Sequence, residues 1–529
     1  MTVLVAEPLA EAAVALLKSQ PGWNVIVSSP KEYSNHLAEA DALIVRSAVQ
    51  VNQSVLDQAP RLRVIGRAGV GVDNVDLEAA TAAGVLVMNT PGGNAVSVAE
   101  HTVAFMLALA RAIPQASVST KSGKWEKKKF LGNEVRGKTL GILGLGSIGR
   151  EVVKRARALE MRVLAADPYV SSQVAEDLDV ELVSLARLFA ESDYITLHMA
   201  LTPETRKVLS REAFEQMKPG VRIVNCARGE MIDQDALVEA MRSGKVAGAA
   251  LDVFSPEPLP PDHPLLSMET VLATPHIAGS TEEAQEIVGV RIAEQIAEYL
   301  RNGVAINAVN MPALTPEQYR VLGPYIALAE RLGSLAAQIA CCNPKGVRFT
   351  YSGKIGDGKT HLVRNAGLVG LLNRWLSQRA TLVNAMQLAE QRSLAVEERH
   401  GPKAAHVDSV TLELETDAGV TTVEGAVVLG RPRLMQVDGI HCEAPLAGNL
   451  LFMKNQDVPG VIGHVGTVLG KNGVNIANFS LGRRDLPLRE GEPLEALAVV
   501  ETDGAVPESV IAQLKENPAV KVVRAVSLA

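Results

Sequence analysis

The chain has 529 residues, of which 47% are hydrophobic, 21% charged and 3% aromatic, and it carries a formal charge of −7. One core stops growing at about 250 to 300 residues, so several domains are expected. The mixed composition excludes disorder and collagen-like repeats, and no broad basic face is offered to nucleic acid. The one dense basic run, 124–129, reads first as a solvated loop, with a subunit or anion contact as the other reading.

Cys226, Cys341, Cys342 and Cys442 lack zinc-ligand spacing, so neither a disulfide framework nor a metal site is expected, and the compartment should be reducing. The opening MTVLVAEPL reads as a strand without a signal or transit pattern, and no apolar run approaches the ~20 residues of a membrane span. The expectation is a cytoplasmic protein with no membrane contact.

Short apolar runs at 3–5, 25–27, 43–45, 64–65 and 85–88 alternate with helical patterns, which predicts a parallel sheet. The turn after the first run, Ala6-Glu7-Pro8, has no glycine to admit a pyrophosphate. A helix over 97–112 leads to a second series of strands at 139–143, 163–166, 194–197, 222–225 and 247–251. The helix over 282–300 then returns toward the first domain, and Asn310-Met311-Pro312 marks a boundary. Residues 316–447 start helical and become strand-like, with alternation at 410–414 that buries one face. The last 80 residues read βαββαβ, a ferredoxin-like order.

The second series opens with strand, Gly144-Leu145-Gly146-Ser147-Ile148-Gly149, then helix. Gly144 permits the tight turn, Gly146 the approach of a pyrophosphate, and Gly149 close packing of helix on strand. The next strand ends at Asp167, 18 residues past Gly149, where a carboxylate binds ribose hydroxyls and repels a 2′-phosphate, favouring NAD.

Three polar residues follow later strands: Arg228 in Asn225-Cys226-Ala227-Arg228-Gly229, Glu257 in Ser255-Pro256-Glu257-Pro258, and His276 in Thr274-Pro275-His276-Ile277-Ala278-Gly279. Oxidising a secondary alcohol requires a base that titrates near neutrality, which suits His276. Glu257 would raise its pKa and fix its tautomer, and Arg228 would fork onto a substrate carboxylate. Singly, these residues also read as a surface charge, a turn residue between prolines and a satisfied loop histidine. Their joint appearance after a dinucleotide fingerprint carries the chemistry.

These segments resemble the D-isomer-specific 2-hydroxyacid dehydrogenase family over about the first 310 residues. The resemblance implies two doubly wound parallel-sheet (Rossmann-like) domains: a discontinuous substrate domain, 1–96 and 286–312, around an NAD domain, 97–285. It makes Arg228, Glu257 and His276 catalytic, and adds Ser147, Ile148, Cys226, Asp252 and Gly279 to the NAD contacts. Cys226 reads as a wall of that site and not as a nucleophile.

Arg46-Ser47, the run 66–76 and the run 89–94 are similar to those of family members that oxidise D-3-phosphoglycerate. That implies a substrate phosphate at Arg46 and Arg67, a carboxylate at the backbone of Val70 and Gly71, and Ser47 as a further substrate contact. The tail, 449–529, resembles an ACT domain, which implies an L-serine effector at Asp457 and Asn475 and a homodimer or homotetramer. Asn455 departs from the His or Tyr of some regulated relatives. An α+β intervening domain, 316–447, lies between. Two rivals remain open: a glyoxylate, hydroxypyruvate or D-lactate reductase, and a nicotinamide-sensing binding protein on the same fold.

Overall fold

The computed structural model describes residues 1–357, 359–401, 407–486 and 493–528. The first sheet holds β1 (Thr2–Val5), β2 (Asn24–Val27), β3 (Ala42–Val45), β4 (Val64–Arg67) and β5 (Leu86–Met88), all parallel, in the order β2-β1-β3-β4-β5. β1 and β3 are buried throughout, as short Val/Ile/Leu runs covered on both faces require. The distant helix Glu282–Asn302 supplies part of that cover: Val288, Ile292, Ile296 and Leu300 share a core with Val3, Val5, Ile44 and Val64. Thr281 caps this helix through the Ala284 amide, and Gly303, left-handed at φ 73°, ends it.

The second sheet comprises β6 (Thr139–Leu143), β7 (Arg162–Ala166), β8 (Glu181–Leu182), β9 (Tyr194–Leu197), β10 (Val221–Asn225), β11 (Val246–Leu251) and β12 (Val271–Ala273). All are parallel, in the order β12-β11-β10-β9-β6-β7-β8. The helix Ala95–Arg111 runs into this layer, where Val98, Ala99, Phe105 and Met106 join Leu140, Ile142 and Val152. The edge strands β8 and β12 are two and three residues long, too short for any periodicity to reveal. Both sheets reverse strand order beside their first strand, at β1/β3 and at β6/β9. Ligands bind beyond the carboxyl ends at such a point.

A third, mixed sheet is built from β13 (Pro344–Ser352), β14 (Ala395–His400), β15 (Ser409–Thr416), β16 (Gly419–Val428), β17 (Arg431–Val437) and β18 (Ile440–Pro445). Helices Pro316–Ile339 and His361–Trp375 pack with it. Val410, Leu412 and Leu414 of β15 are fully buried while Glu413 is only partly so, the expected alternation.

The fourth sheet follows as β19 (Gly448–Gln456), β20 (Ile476–Arg483), β21 (Glu495–Thr502) and β22 (Val520–Leu528), in the order β20-β21-β19-β22. Helices Val461–Lys471 and Glu508–Leu514 complete a ferredoxin-like βαββαβ unit on one face. The other face is not solvated. Leu450, Phe452, Leu497, Val499 and Val526 share one core with residues of the preceding segment, such as Leu332, Leu434 and Ala444. β19 is apolar on both faces for this reason: Leu450 and Phe452 point into that shared core, Leu451 and Met453 toward the helices.

Candidate active site

At the end of β6, Gly144 sits at φ +97°, and a Cβ there would lie 2.8 Å from the His198 carbonyl oxygen, so only glycine turns the chain here. A Cβ on Gly149 would collide with the Gly144 carbonyl oxygen, which brings the helix Ser147–Ala158 hard against the turn. Gly146 faces open space, with nothing within 4 Å of an added Cβ. The helix that follows has no side-chain cap and no acidic residue in its first turn, so its leading amides and positive dipole end are open to an anion. This cradle fits the pyrophosphate of a dinucleotide. Ile148 is half-buried against the neighbouring core.

Asp167 is held beside the loop, accepting from the amides of Leu145 (2.8 Å) and Tyr169 (2.9 Å). Arg162, at the other end of β7, is engaged by Glu181 and Glu191 and offers nothing to a 2′-phosphate. Cys226 is buried at the end of β10 beside Asp252, and burial pushes its thiol up to about 12, so it is no nucleophile at neutral pH.

His276 and Glu257 meet directly, with imidazole Nδ1 2.8 Å from carboxylate Oε2. The other carboxylate oxygen accepts from the Phe254 amide at 2.9 Å. The hydrogen bond to Glu257 raises the pKa of His276 against the opposing effect of burial. For Glu257 burial works against ionisation, but the bonds from His276 and Phe254 outweigh it and hold the carboxyl below its usual value. With Nδ1 engaged, Nε2 is the atom left to exchange a proton.

His276 occupies the left-handed region at φ +54°, a strained conformation for a residue with a side chain, costing about 1 to 3 kcal/mol. Asp252 maintains it. Its carboxylate has no exposure and accepts from the amides of Ile277 and Ala278, both at 2.8 Å, and from the Thr274 hydroxyl. The oxygens that the family resemblance assigns to the cofactor are thus bonded to the loop that carries His276.

The opposite lip comes from the first sheet. Arg67 ends β4, Arg46 follows β3 beside the exposed Ser47, and Arg228 reaches across from the second sheet. Burial lowers the pKa of Arg67, and the positive fields of Arg228 and Arg46 act in the same direction, against those of Asp73 and Glu7. Arg228 forks onto Asp73 Oδ2 with Nη2 at 2.8 Å and Nε at 3.1 Å. A Cβ on Gly71 would strike Arg228 Nη2, so the Val70–Gly71 backbone lies against that guanidinium.

The lips are joined by the loop through Gly92 and Asn94. A Cβ on Gly92 would lie 3.4 Å from the Ser147 hydroxyl, and one on Gly279 2.6 Å from the Asn94 amide nitrogen.

Sequence reasoning missed Glu7 and Asp73. Glu7 is buried at the end of β1, where its carboxylate accepts from the amides of Arg46 (2.7 Å), Ala48 (3.0 Å) and Val49 (3.0 Å) and so shapes the Arg46 loop. The signal was available: an acidic residue in the turn where a glycine would admit a phosphate. Asp73 gave none beyond its place in the 66–76 run.

Asp457 lines a cavity of about 380 Å³ in the C-terminal unit, with Asn455, Val458 and Phe479. Asn475 is not among its lining residues. It donates to Asp503 at 2.7 Å, so within one chain the two expected effector residues do not converge.

The model of the NAD-binding domain of D-isomer specific 2-hydroxyacid dehydrogenases matches residues 103–278, which include the glycine loop, Arg228 and the His276–Glu257 pair. Fold and site therefore define a dehydrogenase of that class. A solved NAD-dependent formate dehydrogenase from Staphylococcus aureus, in complex with NAD, superposes with a TM-score of 0.53 at 30% identity, over 58% of this chain and 99% of its own.

Models of the D-3-phosphoglycerate dehydrogenase intervening domain and of the ACT domain match 321–438 and 449–519. The D-3-phosphoglycerate dehydrogenase of Methanocaldococcus jannaschii is 43% identical over 99% of both chains. That of Archaeoglobus fulgidus is 43% identical over 91% of this chain and 92% of its own. The chain belongs to the D-3-phosphoglycerate dehydrogenase family.

Proposed function

We propose that this enzyme oxidises D-3-phosphoglycerate at C2 to 3-phosphohydroxypyruvate, the entry step of L-serine biosynthesis. The carrying observation is the His276–Glu257 pair at 2.8 Å, with Arg228 close enough for its charge to act on His276. The amides after Gly144 would hold the pyrophosphate of NAD and Asp167 its ribose, and the bound cofactor would supply the hydride acceptor. His276 Nε2 takes the hydroxyl proton, and Glu257 stabilises the imidazolium that results. Arg228, released in part from Asp73, holds the substrate carboxylate beside Val70 and Gly71. Arg67 and Arg46 take the phosphate, whose charge suits two guanidiniums better than one.

We assign Asp457 and its cavity to an L-serine effector, with Asn475 contributed by a second subunit in a homodimer or homotetramer. Support comes from the separation of these two residues within one chain. We place the enzyme's site of action in the cytoplasm; no single helix among the described residues is long and apolar enough to cross a membrane.

The test is initial NADH formation with D-3-phosphoglycerate, D-glycerate and D-lactate, at alkaline pH with the keto product trapped. The phosphorylated acid should be strongly preferred, and Arg67→Ala should abolish the preference. Equal rates on all three, or indifference to Arg67→Ala, would overturn the assignment.

A further inference from the structure

Cys341 and Cys342 lie on the link between the helix Pro316–Ile339 and β13, and both are exposed. Their sulfurs are in contact: the Cys342 thiol donates to Cys341 Sγ at 3.4 Å. Adjacent side chains of an extended chain point to opposite sides, so this contact needs an unusual backbone. Cys342 supplies it, in the left-handed region at φ +72°, a strained conformation for a residue with a side chain. A glycine would make this turn without strain, yet the chain keeps a thiol there.

The other two cysteines differ from this pair. Cys226 and Cys442 are buried, and burial pushes their thiols up to about 12 and about 11, which keeps them protonated and inert at neutral pH. At the exposed pair the bond to Cys341 raises the Cys342 pKa, so Cys342 holds its proton and donates, while Cys341 is the accepting sulfur. Cys341 is thereby the sulfur that attacks and Cys342 the one that resolves.

The link is tied to the C-terminal unit. Three residues before Cys341, Gln338 makes a two-way clasp on β22: its amide nitrogen donates to the Ser527 carbonyl at 3.2 Å, and its oxygen accepts from the Ser527 amide at 3.1 Å. Between clasp and thiols the helix ends, and Ala340 is already extended. Downstream the link is anchored, because the Asn343 carbonyl accepts from the Asp417 amide at 3.2 Å and Lys345 pairs with Asp417 at 2.9 Å. A change of backbone at the two cysteines is therefore taken up toward Gln338.

We propose that Cys341 and Cys342 form a reversible thiol–disulfide site oxidised by low-molecular-weight disulfides, and that closing the ring loosens the Gln338 clasp on β22.

In the first step the Cys341 thiolate attacks one sulfur of the small disulfide, whose S–S bond breaks and releases one small thiol. The Cys342 sulfur, giving up its proton, then attacks Cys341 Sγ in the mixed disulfide and expels the second. Two electrons and two protons pass to the small disulfide, and the protein gains one S–S bond. The sulfurs must close from 3.4 Å to about 2 Å, while the Cα atoms stay about 3.8 Å apart, nearer than an ordinary disulfide sets them. Such a bond is strained and exposed, hence easily reduced, as sensing disulfides in reducing compartments are.

The test treats the full chain, reduced and then freed of reductant, with oxidised glutathione. The tryptic peptide 332–345, which holds both cysteines and no other, should lose the mass of two hydrogens, and dithiothreitol should restore it. Cys341→Ser and Cys342→Ser should each retain one glutathione instead. In the ring form, hydrogen exchange at the Ser527 amide should quicken about tenfold, the loss of one hydrogen bond of ordinary strength. In the two glutathione-bearing variants it should not. Two glutathiones on the unsubstituted peptide with no ring, or a bond between chains seen as a dimer without reductant, would overturn the proposal. So would a Ser527 exchange that is unchanged in the ring form or equally quickened in the variants.

Discussion

β1 and β6 each lead through a turn toward a helix at the centre of a parallel sheet, and the two turns treat negative charge in opposite ways. After β6, glycines leave the backbone bare, and the helix that follows has neither a cap nor an acidic first turn. After β1, the chain supplies its own carboxylates. Glu7 satisfies three amides of the Arg46 loop, and Glu11 occupies the first turn of the next helix. One turn thus reserves its positive end for a ligand, while the other uses an internal anion to hold arginines for a ligand farther along the cleft. Identical topology yields a cofactor site in one sheet and a substrate lip in the other because a few turn residues differ.

If reaction belongs to the second sheet and substrate grip to the first, substitutions should separate along that line. His276→Ala removes the base and should cut kcat by about 10² to 10⁴. NAD affinity, followed by NADH fluorescence titration, should stay where it is. A matching loss of cofactor binding would mean that the His276 side chain itself carries NAD.

Gly71→Ala probes the seam between the sheets. The methyl group would occupy the place of Arg228 Nη2, and displacing a reacting group by about 1 Å costs on the order of 10²-fold. A drop of that size in kcat/KM, with thermal stability barely changed, is expected. An unaffected kcat/KM would remove Arg228 from the substrate's carboxylate.

Glu7→Gln should act more mildly and only on the first sheet. The amide keeps one acceptor but turns a donor toward backbone N–H groups, a mismatch of about 1 to 3 kcal/mol. KM for the phosphorylated acid should rise on the order of tenfold while NAD binding is unchanged. A rise in both constants would show that the two turns are not independent.

What was legible in the sequence follows the same division. The glycine loop, Arg228, Glu257 and His276 stood out because their chemistry is local to a motif, and the structure brings Glu257 and His276 into contact across 19 positions. Glu7, Asp73 and the bracing role of Asp252 did not stand out, because each acts by long-range bonds, as from Glu7 to Val49 or Arg228 to Asp73. In the C-terminal half the strand pattern was readable. The shared core was not: apolar residues on both faces of β19 show that a second partner exists without naming it.

The finest test sets electrostatics against geometry within the second sheet. Glu257 raises the pKa of His276 above its ordinary 6.5, and oxidation needs the neutral imidazole. The rise of kcat/KM with pH should therefore be centred above 6.5. In Glu257→Gln the imidazolium loses its partner, so this acidic limb should move to lower pH, while the plateau falls about tenfold from the looser ring.

Stability should respond in the same sense. The raised His276 pKa contributes stability that is complete below about 6.5 and is lost as pH rises through the folded value. The depressed Glu257 pKa contributes stability that is complete above about 4.5 and is lost as pH falls through its folded value. The charged pair is thus fully effective between these two pH values, and Glu257→Gln should lower the melting temperature most within that window and remove the pair's share of the decline on either side of it. A limb that stays in place would mean that Glu257 only orients the ring; a limb that moves with the plateau intact would mean that it only sets the charge.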